Sequence, residues 1–203
     1  MSHSAPLPTI ARRWDEFVDE NPPLAYASPD ELVRCLPDAF VTSDNHWFHH
    51  NIIRFQERPW NVDELMTERW NAIVSAHATV LHCGDVVHRC TLEHVTTHLP
   101  PLNGDKYLLR GNHDRQARAL YFANRGWRLV QPFTAPYRDW FVLFTHRPVP
   151  TERLPQRTIN VHGHIHRHPP PSTRHINVSV ERWDYSPMRL GDLLDQAIGQ
   201  LQG

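Results

Sequence analysis

Lys106-Tyr107-Leu108-Leu109-Arg110-Gly111-Asn112-His113-Asp114 runs from an apolar core segment straight into a polar cluster. Its first half is short, apolar and β-prone, and Gly111 and Asn112 break it, so residues 106–110 read as a buried strand that turns at Gly111. Working outward, the same grammar recurs. Ala39-Phe40-Val41-Thr42 precedes Asp44-Asn45-His46, and Thr79-Val80-Leu81-His82 precedes Gly84-Asp85. Trp140-Phe141-Val142-Leu143-Phe144 precedes Thr145-His146, and residues 158–161 precede His162-Gly163-His164-Ile165-His166. Polar clusters thus follow five strands, each just past the carboxyl end. In an α/β sheet those ends open onto a shared crevice where ligands bind. Gly84, Gly111 and Gly163 permit the tight turns that let such loops converge.

Helical patterns fill the intervals. Residues 61–77 carry Asn61 as cap, Glu64 to close a capping box, and Leu65, Trp70, Ile73 and Val74 as the apolar positions. Residues 91–99 form a short helix stopped by Pro100-Pro101, and residues 115–124 form another with Gly126 past its end. Residues 128–130 and 175–180 read as further strands, and 189–200 as a closing helix. Strands alternating with helices argue for an α/β layered fold, and the strand-dense second half argues for a second sheet packed on the first. Ahead of Ala39 lie two short helices. One has Ile10, Trp14, Phe17 and Val18 on a face and stops at Asn21-Pro22-Pro23. The other starts at Ser28-Pro29-Asp30-Glu31, buries Leu32, Val33 and Leu36, and ends at Pro37. Residues 1–37 are therefore read as a helical N-terminal extension that packs on the main domain, residues 38–203.

The chain has 203 residues, 40% of them hydrophobic and 21% charged, which suits a globular domain and not a disordered one. Lys and Arg number 21 against 22 Asp and Glu, so no basic field tracks duplex nucleic acid. No apolar run is long enough to span a bilayer and the first residues lack a signal pattern, which places the protein in the cytoplasm without a membrane partner. Cys35, Cys83 and Cys90 form no CxxC pair, which argues against a disulfide framework and against a thiolate zinc site. Sixteen histidines are the unusual feature.

Asp, His and Asn at the strand ends make a mixed oxygen and nitrogen donor set. Such a set accepts manganese, iron, zinc, nickel or cobalt. There are too many donors for one ion, and two ions sharing one carboxylate would use them economically. Two ions at about 4 Å can clamp a phosphate ester and activate water between them.

Asp44-x-His46, Gly84-Asp85, Gly111-Asn112-His113-Asp114, His146 and Gly163-His164-x-His166, in that order, resemble the calcineurin-like metallophosphoesterases over roughly residues 39–190. Thr42-Ser43, His49-x-Asn51-Ile52-Ile53-Arg54-Phe55 and Ile176-Asn177-Val178-Ser179-Val180 with Trp183-Asp184-Tyr185 resemble a small bacterial or phage-type subgroup of that family. The resemblance implies a layered α/β/β/α sandwich. It implies two divalent transition-metal ions, manganese first, with Fe, Ni, Co or Zn as alternatives. Asp44, His46 and His166 would hold one ion, Asn112, His146 and His164 the other, and Asp85 would bridge them. It also implies His113 as the acid facing the substrate, with Asp114 orienting it, and a bridging hydroxide as the attacking group. The activity implied is phosphodiester hydrolysis, on a nucleotide or other small phosphoester, with a nucleic-acid end as a further substrate. A phosphomonoesterase or nucleotide pyrophosphatase on the same site, a non-catalytic interaction module and a structural metal protein are the alternatives.

Outside the motifs, His162 and His168 read as structural or surface residues, and His49 is divided equally between the substrate side and the rim. Arg54, Arg110, Arg115 and Arg147 flank motifs as candidate phosphate contacts. His77, His82, His88, His94 and His98 read as core-edge or surface residues, Cys83 as a small hydrophobe, and Trp14, Trp70 and Trp127 as packing residues. Trp47 and Phe48 favour packing over lining the pocket.

Overall fold

A computed structural model describes Trp14 and residues 23–203. The first sheet has the order β4-β3-β2-β1-β9. It comprises β1 Phe40–Thr42, β2 Thr79–His82, β3 Asp105–Leu109, β4 Arg128–Val130 and β9 Met188–Arg189. The first four are parallel, and β9 closes the β1 edge antiparallel, with Phe40 opposite Arg189. The second sheet, β5-β6-β7-β8, comprises Phe133–Tyr137, Trp140–Phe144, Thr158–His162 and His175–Asn177. Its β5 and β6 form an antiparallel hairpin, and β6, β7 and β8 run parallel. A bridge between Ser43 and Ser179 ties the sheets together beside the site.

Alternation along the first sheet separates two cores, because successive side chains point to opposite faces. Val41, Leu81, Tyr107, Leu109 and Val130 face the second sheet, where they meet Val142, Phe144, Ile159 and Val161. Val80, Leu108 and Leu129 face the other way, onto α3 Val62–Ile73, α4 Leu92–His98 and α5 Gln116–Ala123. Further α-helices among the described residues are α1 Asp30–Arg34, α2 His50–Phe55 and α6 Leu190–Gln202. Leu32 of α1 and Leu190, Leu194 and Ile198 of α6 join the core between the sheets. The result is the layered α/β sandwich that the strand and helix alternation implied. No helix among the described residues is long and apolar enough to cross a membrane.

Several expectations shift in detail. The residue 61–77 pattern stops at Ile73, and Asn61 makes no side-chain cap. The buried stripe of α3 is Val62, Met66 and Trp70, an i, i+4 series, while Ile73 is exposed. Trp70 fixes that rotation: its Nε1 donates to the Asn103 carbonyl at 3.0 Å and its ring meets Trp47 and Trp127. Thr91 does cap α4, accepting from the His94 N–H at 3.1 Å. α1 starts at Asp30, with Pro29 as its cap residue and the Ser28 hydroxyl accepting from the Asp30 N–H. Trp14 is helical and donates to the Cys90 carbonyl at 2.9 Å. Ile10, Phe17 and Val18 lie outside the described residues.

Candidate metal centre

All five polar clusters converge at the carboxyl ends of their strands. The turns that bring them there are unusual, since Asp44, His46, Asp85, His164 and His166 all have positive φ, between 50° and 72°. Asp and His tolerate the left-handed region better than most residues, and such backbone collects at functional sites. Three glycines allow the approach, and a Cβ on Gly84 would meet the Gly111 backbone and His146 Nδ1. A Cβ on Gly111 would run into the Asp85 carboxylate, and one on Gly163 into Ser43 Oγ and Asp44 Oδ2.

Asp44, His46 and His166 form one group of converging donor atoms, and Asp85, His146 and His164 a second. Asp44 is fully buried. Its Oδ2 accepts from the His164 N–H at 2.8 Å and from Ser179 Oγ at 3.0 Å. Its Oδ1 has no hydrogen-bond partner among the described residues and looks toward His46 Nε2 at 3.8 Å and His166 Nε2 at 4.0 Å. An orphaned, fully buried carboxylate oxygen between two imidazole nitrogens fits a cation. Asp85 Oδ1 accepts from the His113 N–H at 2.8 Å. Its Oδ2 lies 3.6 Å from His46 Nε2 of the first group and 3.4 Å from His146 Nε2 of the second. Asn112 Oδ1 is 3.0 Å from the same His146 nitrogen. All seven residues expected as metal ligands therefore stand at one place.

The distal ring nitrogens set the tautomers. His146 Nδ1 lies 2.8 Å from the Cys83 carbonyl, which only accepts, so Nδ1 carries the proton and Nε2 faces the site. His166 Nδ1 donates to Glu181 Oε1 at 2.8 Å. This pairing of a ligand histidine with a carboxylate fixes the ring and raises its basicity. Glu181 is held in turn by Arg58, whose Nε and second amino group reach the same oxygen at 2.9 and 2.5 Å. Arg58 is itself buried and donates to the Asn45 and Asp44 carbonyls at 2.6 and 2.7 Å. Neither Glu181 nor Arg58 was found from the sequence. Each is a charged residue in a polar stretch, and only a buried ion pair across 123 residues reveals the role.

The charges are strongly coupled. Burial pushes the Asp85 carboxyl up, but His146, His46 and the His113 N–H more than reverse this and hold it well below the carboxylate range. Burial opposes protonation of His146, yet Asp85 and Asp44 raise it to about 9. Asp44, where burial dominates over His146 and His166, is raised. A cation held by the same atoms would bind in competition with protons.

One expected role is corrected. Asp114 does not orient the His113 ring. Its carboxylate accepts from the N–H groups of Asp85 at 2.6 Å, Val86 at 3.1 Å and Gly111 at 2.9 Å. It therefore clamps the Gly84-Asp85 and Gly111-Asn112 turns to each other, with both oxygens engaged by backbone N–H groups. The His113 ring instead rests against His88, with centroids 3.8 Å apart, and its Nε2 lies 4.0 Å from Asp85 Oδ2. His88, expected at the core edge or surface, belongs to the site, packed also against His49 and His46. Burial, then Arg89, draws the His49 pKa down to about 4, and burial, then His113, does the same for His88.

The other candidates stay outside. His162 is fully buried beneath the site, with Nδ1 bonded to the Gly163 carbonyl, and His168 is exposed. His82 is buried and pairs with Asn45 Oδ1 at 2.8 Å. Trp47 is buried against Trp70 and is a packing residue. Arg110 holds the Asp114 carbonyl and Tyr26, and Arg54 is exposed on α2.

Residues 38–187 match the calcineurin-like phosphoesterase family. The chain belongs to that family. An uncharacterised protein of Methanocaldococcus jannaschii, MJ1445, is 30% identical over 171 residues, covering 78% of this chain and 90% of the relative. A crystal structure of a protein of unknown function from Aquifex aeolicus, AQ665, shares the fold. It has a TM-score of 0.60 and 22% identity, and the match covers 80% of this chain and 98% of that one. The family and the two donor groups make this calcineurin-like protein a metal-dependent phosphoesterase.

Proposed function

We propose that the protein is a phosphodiesterase that works with two divalent ions, manganese first, on a nucleotide or other small phosphodiester. The observation that carries this reading is Asp85 Oδ2, placed 3.6 Å from His46 Nε2 and 3.4 Å from His146 Nε2, at the junction of the two donor groups. Asp44, His46 and His166 would hold one ion, Asn112, His146 and His164 the other, and Asp85 both. When bound, a pair of such ions neutralises the phosphate and lowers the pKa of water toward neutrality. The protein's own groups do the rest. Cys83 and Glu181 keep the ligand imidazoles in the tautomer that turns Nε2 inward. Asp114 sets the spacing of the two turns that carry Asp85 and Asn112. His113, half-exposed beside Asp85, gives a proton or hydrogen bond to the departing oxygen, a contribution of about 10²–10⁴-fold in rate.

The test is a metal-reconstituted assay on the full chain. Chelator-stripped protein receives Mn, Ni, Co, Zn or Mg separately, and hydrolysis of bis(p-nitrophenyl) phosphate is compared with that of p-nitrophenyl phosphate. Faster diester turnover, lost in Asp85→Asn and reduced in His113→Ala, is the expected result. Faster monoester turnover would replace phosphodiesterase with phosphomonoesterase. Failure to bind any of these metals would end the reading.

A further inference from the structure

One wall of the site is built of side chains that stand outside both donor groups. His49 and His88 meet edge to face with ring centroids 4.5 Å apart, and His88 lies against His113 at 3.8 Å. Both nitrogens of His49 and Nδ1 of His88 are buried and have no hydrogen-bond partner among the described residues. Buried imidazole nitrogens left in this way call for a polar occupant. Beyond His49 opens a cavity of about 450 Å³, lined by Phe48, His49, His50, Asn51 and Arg89. These lining residues supply imidazoles, an amide and a guanidinium, and no carboxylate. The neighbouring groove between α3 and α4 shares Phe48 and His50 with this cavity and carries Asp63, Glu64 and Glu68 together with His94 and His98. The carboxylates lie on that side, and the cavity's own lining suits an anion.

We propose that this wall is a second anion subsite, in which Arg89 and His49, backed by His88, take a second phosphoryl group of the substrate. The inference rests on the phosphoesterase reading of the paired donor groups and adds the substrate class. The path between the subsites is short. His113 bridges them: its ring is 5.3 Å from that of His46 on one side and 3.8 Å from that of His88 on the other. A phosphoester whose reacting phosphorus lies at the donor groups, with its leaving oxygen at His113, reaches the His88 and His49 wall with its leaving portion. An uncharged leaving portion would leave the buried His49 and His88 nitrogens unmatched. A leaving portion that bears a phosphoryl group matches a guanidinium fork and N–H donors. The substrate class is thus a nucleotide-like compound with a second phosphate beyond the scissile bond.

The experiment uses the metal-loaded full chain, with AMP and ADP as inhibitors of bis(p-nitrophenyl) phosphate hydrolysis at a fixed free metal concentration. ADP is expected to inhibit about tenfold more tightly than AMP, the size of one charge-assisted contact. Arg89→Gln and His49→Gln are each expected to bring that ratio near one. Arg89 is exposed, so Arg89→Gln tests the subsite without disturbing the core. A wild-type ratio near one, or a preference kept in both variants, would overturn the subsite and leave a merely hydrated cavity. If wild type hydrolyses no phosphoester, calorimetric titration of AMP and ADP into the same metal-loaded protein reads the same ratio. Failure of the catalytic reading is then told apart from failure of the subsite.

Discussion

Glu181→Gln is the sharpest single perturbation of the candidate centre, because it acts on the fold and on one donor group through the same atom. Glu181 Oε1 accepts from Arg58 twice, at 2.9 and 2.5 Å, and from His166 Nδ1 at 2.8 Å. The Arg58 and Glu181 side chains are 0% and 1% exposed. Removing the charge of one partner leaves a buried guanidinium uncompensated, at a cost of about 3–5 kcal/mol. At about 2–4 °C per kcal/mol for a chain of this size, the melting temperature should fall by roughly 10 °C. His166 also loses its anionic acceptor, which should weaken the ion held with Asp44 and His46 by about 10–100-fold. The ion held with His146 should be far less affected, since His146 leans on the Cys83 carbonyl. Calorimetric metal titration would then resolve one weakened and one nearly normal site. An Arg58→Met, Glu181→Leu double variant separates the two effects. Without a stranded charge it should regain much of the stability, but not the affinity, because Arg58 also holds the Asp44 and Asn45 carbonyls. A Glu181→Gln protein with wild-type melting and two unchanged metal affinities would refute the reasoning.

Gly111→Ala should abolish binding of both ions, since its Cβ meets the Asp85 carboxylate, while Gly126→Ala, whose Cβ meets nothing, should cost only about 1 kcal/mol of backbone strain and leave both affinities intact. Equal metal binding by the two variants would contradict the packing at Gly111. Asp114→Ala leaves three N–H groups without their acceptor and should destabilise the chain by at least about 3 kcal/mol in urea unfolding, with metal affinity falling too because the Asp85 turn is released. A variant that melts normally and only slows turnover would restore an orienting role toward His113. His82 is held neutral by burial, with a pKa lowered to about 3, so it favours the folded state above its unfolded pKa of 6.5, and that contribution is lost as pH falls toward 3. Between pH 7 and 4 this amounts to about 3 kcal/mol, and His82→Gln should show a correspondingly shallower acid loss of stability in denaturant titrations. An unchanged slope would mean that His82 already titrates freely in the native protein.

The donor groups were legible because strand-end clusters carry their meaning locally. Asp44, Asp85, Asn112 and His146 each follow a strand within a few residues, so reading the strand places the side chain. The strands at 79–82, 128–130 and 140–144 were read with their observed limits for the same reason. What escaped was non-local. β5 contains Pro136, which argues against a strand, yet β5 is the edge of its sheet, where a missing N–H is tolerated. Met188–Arg189 is too short to carry a pattern and exists only because the β1 edge is free to pair with it. The orienting role of Asp114 came from the family resemblance alone, and no local pattern in the sequence shows that its carboxylate faces the backbone of a turn 28 residues away. His88 had no motif around it, and only the convergence of the Val86-Val87 and His113 loops sets its ring against His113.

Strain and support are distributed unequally around the centre, and this explains which residues accompany the ligands. Five of the seven proposed metal residues adopt left-handed backbone, which costs L-residues energy at each position. Such turns persist only where the surroundings over-determine them. Here the determinants are buried and charged: Asp114 on the Asp85 and Gly111 N–H groups, Arg58 on the Asp44 and Asn45 carbonyls, and Asp44 itself on the His164 N–H. Asp114 and Asp44 each join two strand-end turns that are distant in sequence, and Arg58 reaches the Asp44-Asn45 turn from the segment after α2. No single turn could hold its donor in place alone, because the residue that fixes it sits on another segment of the chain. The donor geometry is therefore a property of the assembled sheets, and a cation bound by the folded arrangement alone adds its binding free energy to the stability of both.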